Sequence, residues 1–166
     1  NLPFERTGQT RLQLCRKISD ALIPKYHEWH DWTTRQIEAF CNNRWVALSG
    51  CSNSAKTHNT AGYSVVWWMC APEASSVIYC STTVKALRRR AWANIQSCRQ
   101  TLVGNGIDFG NFVDSRMVWQ CVTTKNGNEF KDDKHAIIGI AVEEGSTVKV
   151  ADGIKGHHTR RQMVVI

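Results

Sequence analysis

The sequence predicts an α/β fold, three-layered, with a mainly parallel central sheet and a β-rich insertion. Three observations predict it. From residue 45 onward, short runs rich in β-branched and aromatic residues alternate with longer segments of helical period. Residues 46–57, VALSGCSNSAKT, pass from an apolar run through Gly50 and small polar residues into Ala-Lys-Thr, the layout of a strand, a tight turn and a helix N-terminus. Residues 110–150 are cut by closely spaced turn signals between short apolar runs. At 166 residues and 42% apolar composition the chain has the size of one domain and the means to bury a core, which excludes a disordered protein.

Taken in order, residues 1–10 are polar and expected to fray. Residues 12–23 carry apolar side chains at 14, 18, 21 and 22, and Pro24 closes that helix. Asp31 or Thr33 is the expected cap of a second helix running through Cys41, with Ile37 and Phe40 inward. Residues 45–49 read as a strand, and 56–69 as a helix that ends before Pro72. Residues 77–80 read as a strand. A long helix is expected over 83–102, with Ala86, Leu87, Ile95 and Leu102 among its apolar positions, broken by Gly104-Asn105-Gly106. Residues 117–123 alternate as a strand, 125–128 form a turn and 135–142 a strand. Residues 153–161 are a polar, glycine-containing loop, and 163–166 a last buried strand. There is no internal repeat and no low-complexity tract.

The net charge is +7, and it is uneven: residues 51–100 carry six Lys/Arg against one Asp/Glu, while 101–166 carry eight of each. The basic excess follows the 46–57 segment. It suits a polyanionic partner, nucleic acid first, or is a solvated face. Seven cysteines without a CxxC pair argue against a zinc site. Several lie in apolar runs (Cys70, Cys80, Cys121) and read as reduced, mostly buried thiols. No signal peptide is visible, and no apolar run approaches the ~20 residues that span a bilayer. The chain ends on the apolar run Met163-Val164-Val165-Ile166, which reads as an internal strand of a longer protein.

Gly50-Cys51-Ser52-Asn53-Ser54-Ala55-Lys56-Thr57 follows the pattern G-x-x-x-x-G-K-[ST], with Ala55 in place of the second glycine. In such a loop the backbone N–H groups of 52–57 ring a β-phosphate. Lys56 then reaches the β- and γ-phosphates and the Thr57 hydroxyl binds Mg²⁺. Acids for the metal and for water activation are expected just beyond Ile166. Glu143-Glu144 is the internal competitor, although Gly145-Ser146-Thr147 after it reads as a hairpin turn.

The order of motifs resembles the N-terminal ATPase domain of phage terminase large subunits, the motors that package DNA. The resemblance covers about residues 29–166. It rests on Trp32-Thr33-Thr34-Arg35-Gln36, on the deviant loop LSGCSNSAKT, and on the strand 77–83 running into the basic helix VKALRRRAW. A glycine-containing loop with His157-His158 before MVVI completes it. The resemblance implies a P-loop NTPase fold of the RecA/ASCE type, residues 1–28 being a helical lead-in and 29–166 the ATPase domain, with no nuclease domain in this chain. It implies ATP and Mg²⁺ as cofactors, Lys56 and Thr57 as catalytic residues, and Thr57 as metal ligand. The cofactor-binding set is Gly50, Cys51, Ser52, Asn53, Ser54, Ala55, Lys56, Thr57 and His58, with Gln36 on the adenine side.

The family's loop arginine is missing, so Arg160, Arg161 or a neighbouring subunit must supply that charge. Implied partners are double-stranded DNA, a terminase small subunit, a portal protein and further copies in a ring, in the host cytoplasm and away from membrane. Arg88-Arg89-Arg90 spread over more than half a helix circumference and read as a DNA or subunit contact, or as a solvated face, with Trp92 turned to the core. The tryptophans read mostly as core, with Trp29 and Trp32 placed to flank a nucleotide. His157-His158 reads more simply as loop than as a ligand pair. A helicase-like ATPase and a nucleotide-binding module without hydrolysis are the alternative functions. With the acids expected beyond residue 166, residues 1–166 alone are expected to bind nucleotide weakly and hydrolyse it poorly.

Overall fold

The computed structural model describes residues 10–125, 128–141 and 159–166. It is an α/β fold built on a five-stranded sheet of order β2-β3-β4-β1-β5. The strands are β1 (Ser75–Ser81), β2 (Asn111–Val113), β3 (Val118–Lys125), β4 (Asn128–Ala141) and β5 (Arg161–Val165). The sheet is mixed, not mainly parallel. β1 runs parallel to β4 and to β5, while β3 is antiparallel to both β2 and β4. The expected β-rich insertion is therefore part of the central sheet. β4 is long enough to serve two partners: residues 128–138 pair with β3, and 137–141 continue alongside β1.

Helix α1 (Arg11–Leu22) opens with a capping box: Gln13 N donates to Thr10 Oγ1 (3.2 Å) and Thr10 N to Gln13 Oε1 (2.9 Å). It stops ahead of Pro24, as its sequence requires. Helix α2 (Asp31–Asn42) is capped by neither Asp31 nor Thr33. His30 is the cap, its Nδ1 accepting from Thr33 N at 3.3 Å. An imidazole lone pair serves the orphan amide as an Asp oxygen would. Helix α3 (Lys56–Met69) keeps its expected bounds.

The expected long helix after β1 starts at Thr83, whose hydroxyl accepts from Ala86 N at 3.0 Å, but it is not uniform. A short α4 (Val84–Leu87) passes through one π turn, Arg88–Trp92, into α5 (Ala93–Gly104). The wider turn brings Leu87 and Trp92, five residues apart, onto one buried face; each is 1% exposed. Asp114 pins the turn from outside, accepting from Trp92 Nε1 (2.8 Å), Gln96 Nε2 (2.7 Å) and Arg88 Nη1 (3.4 Å).

Residues 45–49 do not form the expected strand. No described strand pairs with them, and Trp45 is 85% exposed. An apolar run becomes a strand only where a neighbour completes its hydrogen-bond ladder. Of the expected turn at 125–128, residues 126 and 127 lie outside the described residues, as do 153–158 of the loop expected at 153–161; Lys125, Asn128 and Arg161 are strand residues.

One sheet face and the helices share a continuous core. Ile23, Val65, Trp68, Leu87, Trp92, Ile95 and Leu102 pack on Val77, Tyr79, Trp119 and Ile137. Trp68 and Trp119 meet at 5.3 Å between ring centroids. Among the described residues the opposite face carries a smaller cluster, Val118, Ala136 and Ile138, with Ile140 packed against it. Residues 10–26 belong to this core through Ile23 and Tyr26. All seven cysteines are free, but Cys51 and Cys70 are exposed and Cys80 half-buried, against the expectation of mostly buried thiols.

Gly62 of α3 is a point of close approach. A Cβ there would lie 2.5 Å from His27 Cε1 and 2.7 Å from Tyr26 Cε1. Both rings are buried and held by other bonds, so neither can yield cheaply. Gly62→Ala is expected to destabilise the fold by about 1–3 kcal/mol through overpacking, despite alanine's helix preference of about 1 kcal/mol. Urea denaturation measures this; a more stable variant would show that the α1–α2 connection can move off α3.

Candidate functional site

Helix α3 begins without a side-chain cap. Its N-cap position is Ala55, at φ 54° and ψ 14°, and no side chain accepts from the first-turn amides. Asn53 is also at positive φ, 63°. Left-handed residues at 53 and 55, separated by an ordinary Ser54, turn successive N–H groups toward one side, a concavity suited to an anion. Among the described residues the amides of Ser52, Asn53, Ala55, Lys56, Thr57 and His58 meet no acceptor. Those of 56–58 are orphaned by the helix start itself, where the helix dipole adds positive potential.

The Lys56 ammonium is turned into the loop. Nζ donates to Gly50 O (2.9 Å), Cys51 O (2.7 Å) and Ser54 Oγ (2.7 Å), which uses all three of its protons. Ser54 Oγ in turn donates to Cys51 O at 2.9 Å. Gly50 leaves space for this: a Cβ would sit 3.3 Å from Ser54 Oγ and 3.6 Å from the Trp32 ring. From outside, α2 clamps the loop. Trp32 Nε1 donates to Ser54 O at 2.7 Å, and Gln36 Nε2 approaches the same oxygen at 3.4 Å.

Behind the loop lies a buried polar chain. Asn59 Nδ2 donates to Gln36 Oε1 (3.0 Å) and Thr33 Oγ1 (3.2 Å). With both amide protons used, Asn59 Oδ1 accepts from His27 Nδ1 at 3.3 Å. His27 Nε2 therefore carries the lone pair, has no partner, and faces Gly62. Burial lowers the His27 pKa to about 4, outweighing the bond to Asn59, so the ring is neutral at pH 7. His58, one residue past Thr57, lies flat on Tyr26, with ring centroids 4.1 Å apart and planes 12° apart. Its Nε2 donates to Tyr26 O at 2.8 Å.

The structure thus brings Gln36, Gly50, Cys51, Ser54, Ala55 and Lys56 into one bonded unit, with Ser52 and Asn53 on its exposed rim. Thr57 and His58 stand on the first turn of α3. The Thr57 side chain is exposed and makes no hydrogen bond among the described residues. Gln36 is 2% exposed and spends both ends of its amide on Asn59 and Ser54.

Other singled-out residues lie elsewhere. Arg88 is bound to Asp114 and to Ser115 O (3.3 Å), Arg161 stacks on Trp67 at 4.2 Å, and Arg160 is exposed. Trp29 donates to Asp20 on α1 at 2.8 Å, not to the loop. Glu143, Glu144, His157 and His158 are outside the described residues. Sequence reasoning missed Tyr26, His27 and Asn59, and read Thr33 as a cap and motif position, not as a partner of Asn59. Among the described residues no three His, Cys, Asp or Glu side chains form a metal-binding group, and no helix is long and apolar enough to cross a membrane. Compared with known protein families, curated proteins and solved structures, the chain matches none of them.

Two outcomes follow from this geometry. An L-residue in the left-handed region is strained by about 1–2 kcal/mol, part of which a glycine gives back through its freer unfolded chain. Ala55→Gly is expected to raise the melting temperature by roughly 2–4 °C; a fall would mean that the methyl group packs favourably. For His27, the folded pKa lies below the unfolded value of 6.5, so the unfolded chain takes up the proton first. Stability is full above pH 6.5 and is lost as pH falls toward 4. Between pH 7.5 and pH 5 the loss is about 2 kcal/mol, and His27→Gln, which cannot ionise, is expected to abolish it in denaturant titrations at the two pH values.

Proposed function

We propose that residues 50–57 are a phosphate-binding loop of the P-loop NTPase type, and that this chain is an ATP-binding and hydrolysing motor domain of the terminase large-subunit type. One observation carries the reading: at the N-terminus of α3 one loop holds both a run of backbone amides that meet no acceptor among the described residues and the Lys56 ammonium, bonded to the loop's carbonyls. That combination matches the negative charge and multiple oxygens of a polyphosphate. A phosphate entering the loop would exchange the lysine's bonds to Gly50 O and Cys51 O for bonds to phosphate oxygens. Carbonyl oxygens carry only partial charge, so the exchange is favourable.

The parallel strands β1, β5 and the end of β4 support the reading, since ligands of open α/β sheets sit at the carboxyl ends of parallel strands. The free Thr57 hydroxyl is a hard oxygen donor suited to Mg²⁺, which would neutralise phosphate charge once bound. Exposed Arg89 and Arg90 on the π turn are cations suited to a DNA backbone. Translocation of double-stranded DNA into a procapsid, a ring of copies, a small subunit and a portal protein as partners, and action in the host cytoplasm all rest on the resemblance of motif order. A second reading, a nucleotide-binding module without hydrolysis, is favoured by one observation: no carboxylate bonds to the loop among the described residues.

The test is nucleotide binding by calorimetry and turnover by phosphate release, on the wild type and Lys56→Ala. Loss of a charged hydrogen-bond donor is worth about 1.5–3 kcal/mol, so Lys56→Ala is expected to weaken ATP binding roughly 10- to 100-fold. Unchanged affinity would sink the phosphate-loop reading. Binding without turnover in a longer chain would favour the second.

A further inference from the structure

We infer that the cavity beside the loop is the subsite for the nucleoside half of the ligand, with the Tyr26–His58 stack as the platform for the base. The inference rests on the phosphate-loop reading above and assigns what lies next to the phosphates. The cavity measures about 560 Å³, within the usual range of small-molecule sites. Ala55 and His58 line it, so it adjoins the residues whose amides ring the phosphate position. Its other walls come from the 24–30 connection between α1 and α2, and from Ser97 and Thr101 of α5.

What points to a base, and not to phosphate alone, is the aromatic pair. His58 is half-buried, and one face of its ring is taken by Tyr26. Three bonds deny the pair freedom to swing away. His58 Nε2 donates to Tyr26 O (2.8 Å), Tyr26 OH donates to Asn94 O (3.0 Å), and Tyr26 N donates to Ile23 O (3.1 Å). A planar ring that entered the cavity and stacked on His58 would find the imidazole already fixed, so stacking would cost little ordering entropy. At the mouth, the exposed Glu28 carboxylate has no side-chain partner among the described residues and is suited to accept from ribose hydroxyls. Gln36 does not line the cavity, and its amide is already spent. Base contact falls to His58, while Gln36 is a positioning residue that holds Ser54.

The experiment compares two probes, ATP and inorganic tripolyphosphate, by calorimetry on the wild type, His58→Ala, His58→Phe and Lys56→Ala. Tripolyphosphate reports the loop alone, and the ratio of the two affinities reports the subsite. The wild type is expected to bind ATP more tightly than tripolyphosphate. His58→Ala is expected to weaken ATP about 5- to 150-fold, the usual loss for one base–aromatic stack, with tripolyphosphate unchanged. His58→Phe, which keeps a ring, is expected to recover most of the ATP affinity. An unchanged ratio in His58→Ala overturns the subsite while leaving the loop standing. An equal loss of both ligands in His58→Ala and His58→Phe overturns it too, because the ring would then serve only the fold. Absence of binding by both probes, or insensitivity of both to Lys56→Ala, overturns the loop reading and the subsite with it.

Discussion

The side chain of Asn59 is the joint on which the site depends. It sits one turn into α3, fully buried, and touches three separate stretches of chain: Thr33 and Gln36 on α2, and His27 on the connection before it. Gln36 then reaches Ser54, so the same amide that holds α2 against α3 also holds the loop ahead of α3. A buried amide with every donor and acceptor met stabilises one arrangement and penalises its neighbours, because a shift of any partner leaves a polar atom dry. The neutral His27 is part of that arrangement. It fits its place because Gly62 has no side chain, and burial favours its uncharged form there.

The loop itself is held in a conformation that its residues do not favour locally. Ala55 and Asn53 are both left-handed, and the amides they orient have no acceptor among the described residues. Lys56 answers this from within by donating to the loop carbonyls, and Trp32 answers it from without by fixing Ser54 O. The result is a preorganised loop whose own lysine is bonded to its carbonyls. Strained backbone of this kind persists where the surroundings over-determine it, and here those surroundings are α2 and the first turn of α3.

Helices and strands with a clear period were legible before the fold was known. The apolar spacing of residues 12–23, the pair of Pro24 and Pro72 as stops, Thr83 as a start and the alternation of 117–123 each act over a few residues, and the structure carries them with shifts of one to three residues. The loop was legible for the same reason, since its glycine, lysine and threonine lie within eight consecutive positions. The surroundings of the loop were not. Trp32 and Gln36 are singled out by sequence and Thr33 is read as a cap, but Tyr26, His27 and Asn59 are not, because a buried polar chain drawn from three segments leaves no local pattern in any of them. The capping of α2 by His30 was missed because imidazole caps are uncommon.

By itself, then, the sequence determined the α/β class, the order of most elements and the candidate loop at 50–57, all of which follow from local periodicity and turn chemistry. Only the tertiary structure decided the direction of the strands, the division of β4 between an antiparallel and a parallel neighbour, and that no described strand pairs with 45–49. These are questions of which backbone meets which, and a strand's own residues encode a face to bury but not a partner. The same holds for the cavity beside the loop. Its walls are drawn from residues 24–33, 55–59 and 97–101, segments whose proximity is created by packing around Trp68, Trp92 and Leu102.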